Sequence, residues 1–254
     1  MSFLDGTCTC VNPVREIVFE LCVESAEACV AANDGGADRI ELCSALSEGG
    51  LTPSHGLLRE ALWFSKVPVH TMVRPRGGDF VYSDVEFSIM RTDLIHAREL
   101  GVGGFVLGIL LADGSVDVER MRELVALAAP YEVTFHRAFD DTPELPQALE
   151  DVIASGCRRL LTSGGEADVV AGADALATLV KQADGRLQVA VGGGLRIMNA
   201  AQLARTTGAM HFHGSLRRRV PGDVQNDDSG KGNPDTFFVD VEDVRAMVQT
   251  LRMA

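Results

Sequence analysis

The chain has 254 residues, of which 46% are hydrophobic and 23% charged, so it carries enough apolar side chains for one large core. Its formal net charge of -13 at pH 7 repels nucleic acids and anionic bilayers, and neither is expected as a partner. No segment approaches the roughly 18 consecutive apolar residues of a membrane span, and the N-terminus lacks the pattern of a signal peptide. These features predict a cytoplasmic protein whose six cysteines are reduced.

Eight short runs of β-branched and apolar residues predict β-strands. They lie at residues 16–23, 38–43, 67–74, 104–110, 132–137, 158–164, 187–193 and 209–214. A segment of helical periodicity follows each run, and three of these segments begin with a capping signal, at Ser25, at Ser54 and at the Ser83–Glu86 capping box. Eight strands that alternate with eight helices predict a single-domain α/β protein, a (β/α)8 TIM barrel. A doubly wound sheet with an extra layer is the alternative.

Residues 217–236 interrupt this alternation. They are rich in Gly, Pro, Asn and Asp and show no apolar periodicity. We expect a long loop after the eighth strand, which is either a lid over the barrel mouth or an inert surface excursion.

The predicted strands direct polar and sulfur-containing side chains into the barrel. Side chains alternate along a strand, and the apolar face of each strand is expected to contact the outer helices. The inward face then carries Glu20 and Cys22 on the first strand, and Glu41 and Cys43 on the second. The third, fifth and eighth strands add inward His70, Met72, Arg74, Thr134, His136, His211 and His213.

Two inward glutamates need a partner, because an isolated buried charge is strongly destabilising. Arg74 lies one strand beyond Glu41 and is the candidate cation. We therefore predict a cluster of Glu20, Glu41 and Arg74 in the upper barrel. The alternative to a chemical role is a purely structural network of ion pairs.

Cys22 and Cys43 each follow an inward glutamate by two residues, near the end of a strand, so we expect the two glutamates, and likewise the two cysteines, to lie at equivalent heights in the barrel. Because neighbouring strands lie about 4.8 Å apart, the two thiols could hold one soft ion such as Cu(I), with Met72 as a thioether neighbour. A structural zinc site would need four ligands. The alternative is that both cysteines are small buried hydrophobic residues.

Five segments, read together, resemble the CutC copper-homeostasis family over residues 16 to 216. They are "GGADRIELCSALSEGGLTPS" (35–54), "RPRGGDFVYSD" (74–84), "VTFHRAFD" (133–140), "LLTSGG" (160–165) and "FHGS" (212–215). The resemblance implies a cytosolic (β/α)8 barrel, a homodimer, and Cu(I) binding through a cysteine pair that matches Cys22 and Cys43. The inward positions of the family correspond to Glu20, Glu41, Arg74, His136 and His213.

Two features depart from this resemblance. Ser215 matches the family after the last strand, whereas Leu216 does not. Residues 1–15 form a leader outside the resemblance, which leaves 16–254 as the barrel. Within the leader, Cys8 and Cys10 form a Cys-x-Cys pair that could chelate copper or be incidental.

The barrel mouth supports a second function, that of an enzyme acting on a small anionic or phosphorylated metabolite. TIM-barrel active sites lie at the C-terminal ends of the strands, and phosphates often bind after strands seven and eight. Gly192, Gly193 and Gly194 precede a helix N-terminus there, and Ser215 follows strand eight. A tight turn is the alternative explanation for the glycines.

In such an enzyme, Arg74 and Arg76 could clamp the anion. Glu20 or Glu41 would act as general base, and His136 or His213 as acid or electrophile, in an isomerase, aldolase or lyase step. No lysine lies on a predicted inward face, which argues against Schiff-base chemistry. An inactive scaffold is a third hypothesis, for which the sequence offers no motif.

Overall fold

The computed structural model describes residues 17–222 and 235–254. Eight parallel strands close into a barrel in chain order, which confirms the predicted (β/α)8 TIM barrel. The strands are β1 (Val18–Val23), β2 (Arg39–Leu42), β3 (Val69–Met72), β4 (Gly104–Leu107), β5 (Glu132–Phe135), β6 (Arg159–Thr162), β7 (Gln188–Gly192) and β8 (His211–Gly214). Each overlaps one of the eight predicted runs.

Eight α-helices follow the strands and surround the barrel. They are α1 (Ala26–Gly35), α2 (His55–Phe64), α3 (Asp84–Leu100), α4 (Val118–Ala128), α5 (Leu145–Ala154), α6 (Ala173–Ala183), α7 (Ile197–Thr207) and α8 (Val241–Arg252). The predicted capping signals are confirmed: the hydroxyls of Ser25 and Ser54 accept backbone N–H bonds, and Ser83 and Glu86 form the capping box. Among the described residues, no helix combines the length and the apolar character needed to cross a bilayer.

The main hydrophobic core lies between the barrel and the helices. The outward side chains of the first two strands, Phe19, Leu21, Ile40 and Leu42, are all at most 1% exposed. Full burial of each such side chain contributes roughly 1.5–3 kcal/mol to the free energy of folding. Because this face takes the apolar residues, the alternating polar residues point to the barrel axis.

The register between β1 and β2 differs from the one that the sequence suggests. Glu20 lies beside Arg39, and Cys22 lies beside Glu41, so the second strand is staggered by two residues. The prediction that Glu20 and Glu41 lie at equivalent heights is therefore wrong. Closing a sheet into a barrel requires such a stagger, and side-chain alternation carries no information about it.

The prediction of a continuous loop over 217–236 is also wrong at both ends. Arg217–Val220 (β9) and Thr236–Val239 (β10) pair as an antiparallel hairpin, while residues 223–234 lie outside the described part of the chain. The side chain of Arg217 stacks on Phe237 at 4.7 Å, and Arg218 pairs with Asp243 at 2.7 Å. The hairpin has no fully buried face, so its sequence lacks the alternation that marks a strand.

Candidate functional site

A cavity of about 750 Å³ opens at the C-terminal end of the barrel. Such a volume suits a metabolite-sized ligand. Its lining is mixed, with arginines, histidines and carboxylates among apolar residues. Nine of the candidate site residues that we single out from the sequence line it, namely Cys22, Glu41, Met72, Arg74, His136, Gly193, Gly194, His213 and Ser215.

Glu20 lies below this cavity in a fully buried ion pair. Its Oε1 accepts a hydrogen bond from Arg159 at 2.7 Å and lies 2.8 Å from His213 Nδ1. Glu20 and Arg159 are both 0% exposed. Burial by itself would raise the pKa of Glu20, but Arg159, His213 and Arg39 together hold that pKa well below its usual value. Glu20 is therefore a carboxylate that neutralises the barrel interior.

The predicted cluster of Glu20, Glu41 and Arg74 needs correction, because Arg159 takes the place of Arg74. The Arg74 guanidinium donates to the backbone carbonyls of Glu48, Gly50 and Gly78 at 2.6, 3.2 and 2.7 Å. Arg74 lies two residues beyond β3, so its side chain reaches the loops above the barrel.

Sequence reasoning missed Arg159, although a signal was present. An arginine at the start of an apolar strand, two residues before the inward Leu161, is a candidate for an interior cation by alternation alone. The strand that carries it, β6, is not adjacent to β1, so no argument from neighbouring strands finds the pair.

Glu41 and His213 form the floor of the cavity. Glu41 Oε1 accepts a hydrogen bond from the Cys22 thiol at 3.2 Å, and its Oε2 lies 4.0 Å from His213 Nδ1. Burial raises the pKa of Glu41. Burial opposes a charge on His213, but the carboxylates of Glu41 and Glu20 outweigh it and raise the pKa of the imidazole. The floor thus holds two carboxyl groups around one imidazole that readily takes a proton.

The thiols of Cys22 and Cys43 meet beside this floor. Their Sγ atoms lie 3.9 Å apart, and the two residues are 2% and 0% exposed. With Met72 and Val106 they form a small apolar cluster inside the barrel. The hydrogen bond to Cys43, together with burial and the nearby Glu41, raises the pKa of Cys22 well above its usual value. The geometry also brings Cys22, Cys43 and Glu41 within reach of one metal ion.

Gly50 leaves room for this sulfur cluster. Its φ is +92, that of neighbouring Gly49 is +85, and a Cβ at Gly50 would lie 3.2 Å from Met72 Cε and 3.4 Å from Cys43 Sγ. The thioether methyl and the thiol therefore flank the same glycine. A larger residue at this position would be strained and would crowd the sulfurs.

One wall of the cavity is a stack of Arg74, Phe80 and His136. The Arg74 guanidinium lies 4.7 Å from the centre of the Phe80 ring, and the rings of Phe80 and His136 lie 4.8 Å apart. His136 Nδ1 accepts a hydrogen bond from the backbone N–H of Ala138 at 3.2 Å. Burial, assisted by the charge of Arg74, lowers the pKa of His136 to about 3. His136 is therefore a neutral imidazole with its proton on Nε2.

The rim carries the predicted glycines, but with a different arginine. Gly193 and Gly194 have φ values of +106 and +82, and a Cβ at Gly193 would lie 3.2 Å from the guanidinium carbon of Arg137. Arg137 also donates to Asp140 at 2.8 Å and to Ser163 at 2.9 Å. Sequence reasoning missed it, although it lies inside the "TFHRAFD" segment.

The structure places two of the predicted anion-binding residues elsewhere. Arg76 lies outside the cavity lining, and it donates to Glu86 at 2.5 Å and to Asp79 at 2.9 Å. Gly192 lies beneath the rim, where a Cβ would contact Leu161 and His213 at 2.5 and 3.0 Å. Cys8 and Cys10 of the leader, for which the sequence leaves a copper role open, lie outside the described residues.

Comparison with known proteins identifies the family. The model of the CutC family matches residues 17–218, which include all eight barrel strands. This chain belongs to the CutC family. A CutC family protein of Chromobacterium violaceum is 51% identical to it over 215 residues, covering 85% of this chain and 87% of that protein. A second, from Mesorhizobium japonicum, is 45% identical over 220 residues, covering 86% and 85%. The family predicted from the five segments is thus confirmed.

Solved structures agree with the CutC assignment. The copper homeostasis protein CutC of Streptococcus agalactiae superposes with a TM-score of 0.75 at 32% identity, covering 78% of this chain and 98% of that one. A structure described as the aldolase QR15 and a phosphoribosylanthranilate isomerase of Thermotoga maritima each give a TM-score of 0.58, at 15% and 11% identity. These two show only that CutC shares the TIM-barrel fold with them.

Proposed function

We propose that this CutC family member takes part in copper homeostasis by binding Cu(I) through Cys22 and Cys43. The observation that best supports the proposal is the 3.9 Å separation of the two Sγ atoms. With metal–thiolate bonds of about 2.3 Å, two sulfurs at this distance enclose one ion at a bent angle. Thiolate and thioether groups are the soft ligands that Cu(I) prefers, and Met72, which lies in the same buried cluster as both cysteines, would supply a third.

An anaerobic Cu(I) titration against a chromophoric competitor tests this proposal. The double variant Cys22→Ser, Cys43→Ser is expected to lose one tightly bound Cu(I) equivalent. The matched control is Cys29→Ser, Cys157→Ser, which removes two other buried cysteines and should bind copper as the wild type does. Equal affinity in the wild type and the Cys22, Cys43 variant would contradict the proposal.

The leader needs its own variant, because Cys8 and Cys10 are also thiols. A Cys8→Ser, Cys10→Ser protein is expected to keep the Cu(I) equivalent assigned to Cys22 and Cys43. If only the Cys8→Ser, Cys10→Ser protein loses its Cu(I) equivalent, the copper site lies in the leader and not at Cys22 and Cys43.

A second candidate function is favoured by the size and charge of the mouth cavity. We propose that it belongs to an enzyme that acts on a small anionic or phosphorylated metabolite. A space of about 750 Å³ far exceeds the needs of one ion. The floor offers Glu41 and His213 for proton transfer, and the rim offers Arg137 beside Gly193 for the anion.

Inorganic phosphate is a direct probe of the rim. Calorimetric titration at fixed ionic strength is expected to show weaker phosphate binding by Arg137→Gln than by the wild type, because the guanidinium beside Gly193 is removed. Arg76→Gln is the matched control, and it should bind phosphate normally since Arg76 lies outside the cavity. If Arg76→Gln binds phosphate more weakly than Arg137→Gln does, the anion site includes Arg76 and not Arg137.

We further propose that the protein is a cytoplasmic homodimer, as the family resemblance implies. Trp63 on α2 supports an association surface, because its side chain is 82% exposed. Light scattering is expected to give twice the chain mass of 27.2 kDa. A monomer in the wild type would contradict the dimer, and a monomer in Trp63→Ser alone would place the contact on α2.

A further inference from the structure

Two buried donors in the cavity wall make no hydrogen bond to the residues that the structure describes. They are Arg74 Nε and His136 Nε2, and each of these residues is only 4% exposed. A buried donor without a partner costs about 1–3 kcal/mol. Both side chains line the mouth cavity, so a ligand or water within it is the natural acceptor.

His136 is fixed as a donor by its backbone contact. Nδ1 accepts from the N–H of Ala138, so the ring proton belongs to Nε2. The ring stays neutral, because burial and Arg74 keep its pKa near 3. A neutral imidazole in a buried wall can polarise a carbonyl or carboxylate oxygen by hydrogen bonding, as the histidine of triosephosphate isomerase does.

Arg74 supplies the charge. Its two terminal nitrogens are held by the backbone carbonyls of Glu48, Gly50 and Gly78, so the guanidinium is fixed in place and Nε remains the free donor. All of these acceptors are neutral carbonyls, which leaves the positive charge uncompensated by any direct carboxylate partner among the described residues. A fixed charge with a free donor favours an anionic acceptor.

The ring of Phe80 packs against both side chains that carry these donors. Its ring lies within 4.8 Å of the Arg74 guanidinium and of the His136 ring, and its side chain is only half-buried. The backbone carbonyl of Phe80 accepts a hydrogen bond from Leu110 at 2.9 Å. The main chain is thus anchored, while rotation of the ring toward the cavity would uncover the wall.

We propose that Arg74 Nε and His136 Nε2 form an oxyanion subsite that binds the carboxylate or phosphate group of a small metabolite, with the ring of Phe80 rotating to admit it. This inference rests on the second candidate function and names the part of the ligand that the wall recognises. The subsite is separate from the rim around Arg137 and Gly193. It is also distinct from the sulfur cluster.

The test uses the full-length protein freed of copper by a chelator, with sodium acetate and inorganic phosphate as probes. Binding is followed by calorimetry and by the Nε2–H signal of His136 in ¹⁵N-histidine NMR. His136→Phe keeps an aromatic ring but removes the donor, and it should weaken binding about tenfold or more. His136→Gln restores an N–H at that position and should recover most of the affinity. Phe80→Ala removes the cover and should bind the same probe more tightly.

The probe that shifts the Nε2–H signal identifies the group as carboxylate or phosphate. Wild-type affinity in His136→Phe, or an Nε2–H signal that neither probe moves, would overturn the subsite and leave water as the acceptor. Phosphate binding that Arg137→Gln abolishes and His136→Phe does not would overturn the subsite while supporting the second candidate function. Absence of binding by the wild type would reject both, and the Cu(I) titration is independent of either result.

Discussion

Arg159 is the residue that makes a polar barrel interior possible. Its guanidinium donates to Glu20 at 2.7 Å, and neither side chain has any solvent exposure. We expect Arg159→Met to lower the free energy of unfolding by about 3 kcal/mol, because it removes the fully buried cation that pairs with Glu20 and leaves only His213 and the more distant Arg39 beside that carboxylate. Urea denaturation monitored by circular dichroism measures this loss.

The double variant Arg159→Met, Glu20→Gln separates the charge effect from the packing effect. It should regain much of the lost stability, since no unpaired charge remains. Arg186→Gln is the control, because its pair with Glu150 is solvent-exposed and should matter little. Unchanged stability in Arg159→Met would show that Glu20 does not depend on this partner.

At the scale of secondary-structure elements, the turn between β7 and α7 depends on the conformation of Gly193. Its φ of +106 is disfavoured for other residues, and an added Cβ would press on the Arg137 guanidinium at 3.2 Å. Gly193→Ala is expected to cost about 1–2 kcal/mol in stability and to weaken phosphate binding at the rim. Urea denaturation and calorimetric phosphate titration measure the two effects.

Gly185→Ala is a matched control for this turn. Gly185 also has a positive φ of +72, but nothing lies within 4 Å of its would-be Cβ. It should lose stability through backbone strain alone and keep the wild-type phosphate affinity. If both variants bind phosphate equally well, the turn does not shape an anion site.

At the scale of the whole molecule, the buried His70 and His136 and the half-buried His211 make stability depend on pH, because their rings are neutral in the folded protein. Burial lowers the pKa of His70 and His136 to about 3 and that of His211 to about 4. In the unfolded chain a histidine has a pKa of about 6.5. Between these values the unfolded state binds more protons than the folded state, so the free energy of unfolding falls as the pH is lowered.

Each of these histidines should contribute a slope of up to about 1.4 kcal/mol per pH unit below pH ~6.5. The raised pKa of His213 acts in the opposite direction, because its stabilisation is present at low pH and is lost as the pH rises through its folded value. Urea denaturation between pH 7 and pH 4.5 measures the net slope, which should be positive and should decrease in His70→Gln. A flat profile would contradict the neutral burial of these rings.

The sequence by itself determined the fold class, the helix starts and the face on which each strand residue lies. Helical and strand periodicities are local, so all eight strands and eight helices could be predicted. Alternation alone placed Cys22, Glu41 and His213 toward the barrel axis, and the structure shows these side chains around the mouth cavity. The quoted segments were enough to indicate the CutC family.

Only the tertiary structure decided which of those side chains meet. Alternation specifies a face but not a height, so the two-residue stagger of β1 against β2 had no local signal. Arg159 lies on a strand that is not adjacent to β1, yet its side chain reaches Glu20. Arg137 lies at the rim in place of Arg76, because the conformation of each loop sets the direction of its arginine side chain. Partners across a closed barrel depend on its shear and its loops, which are properties of the assembled chain and not of any segment.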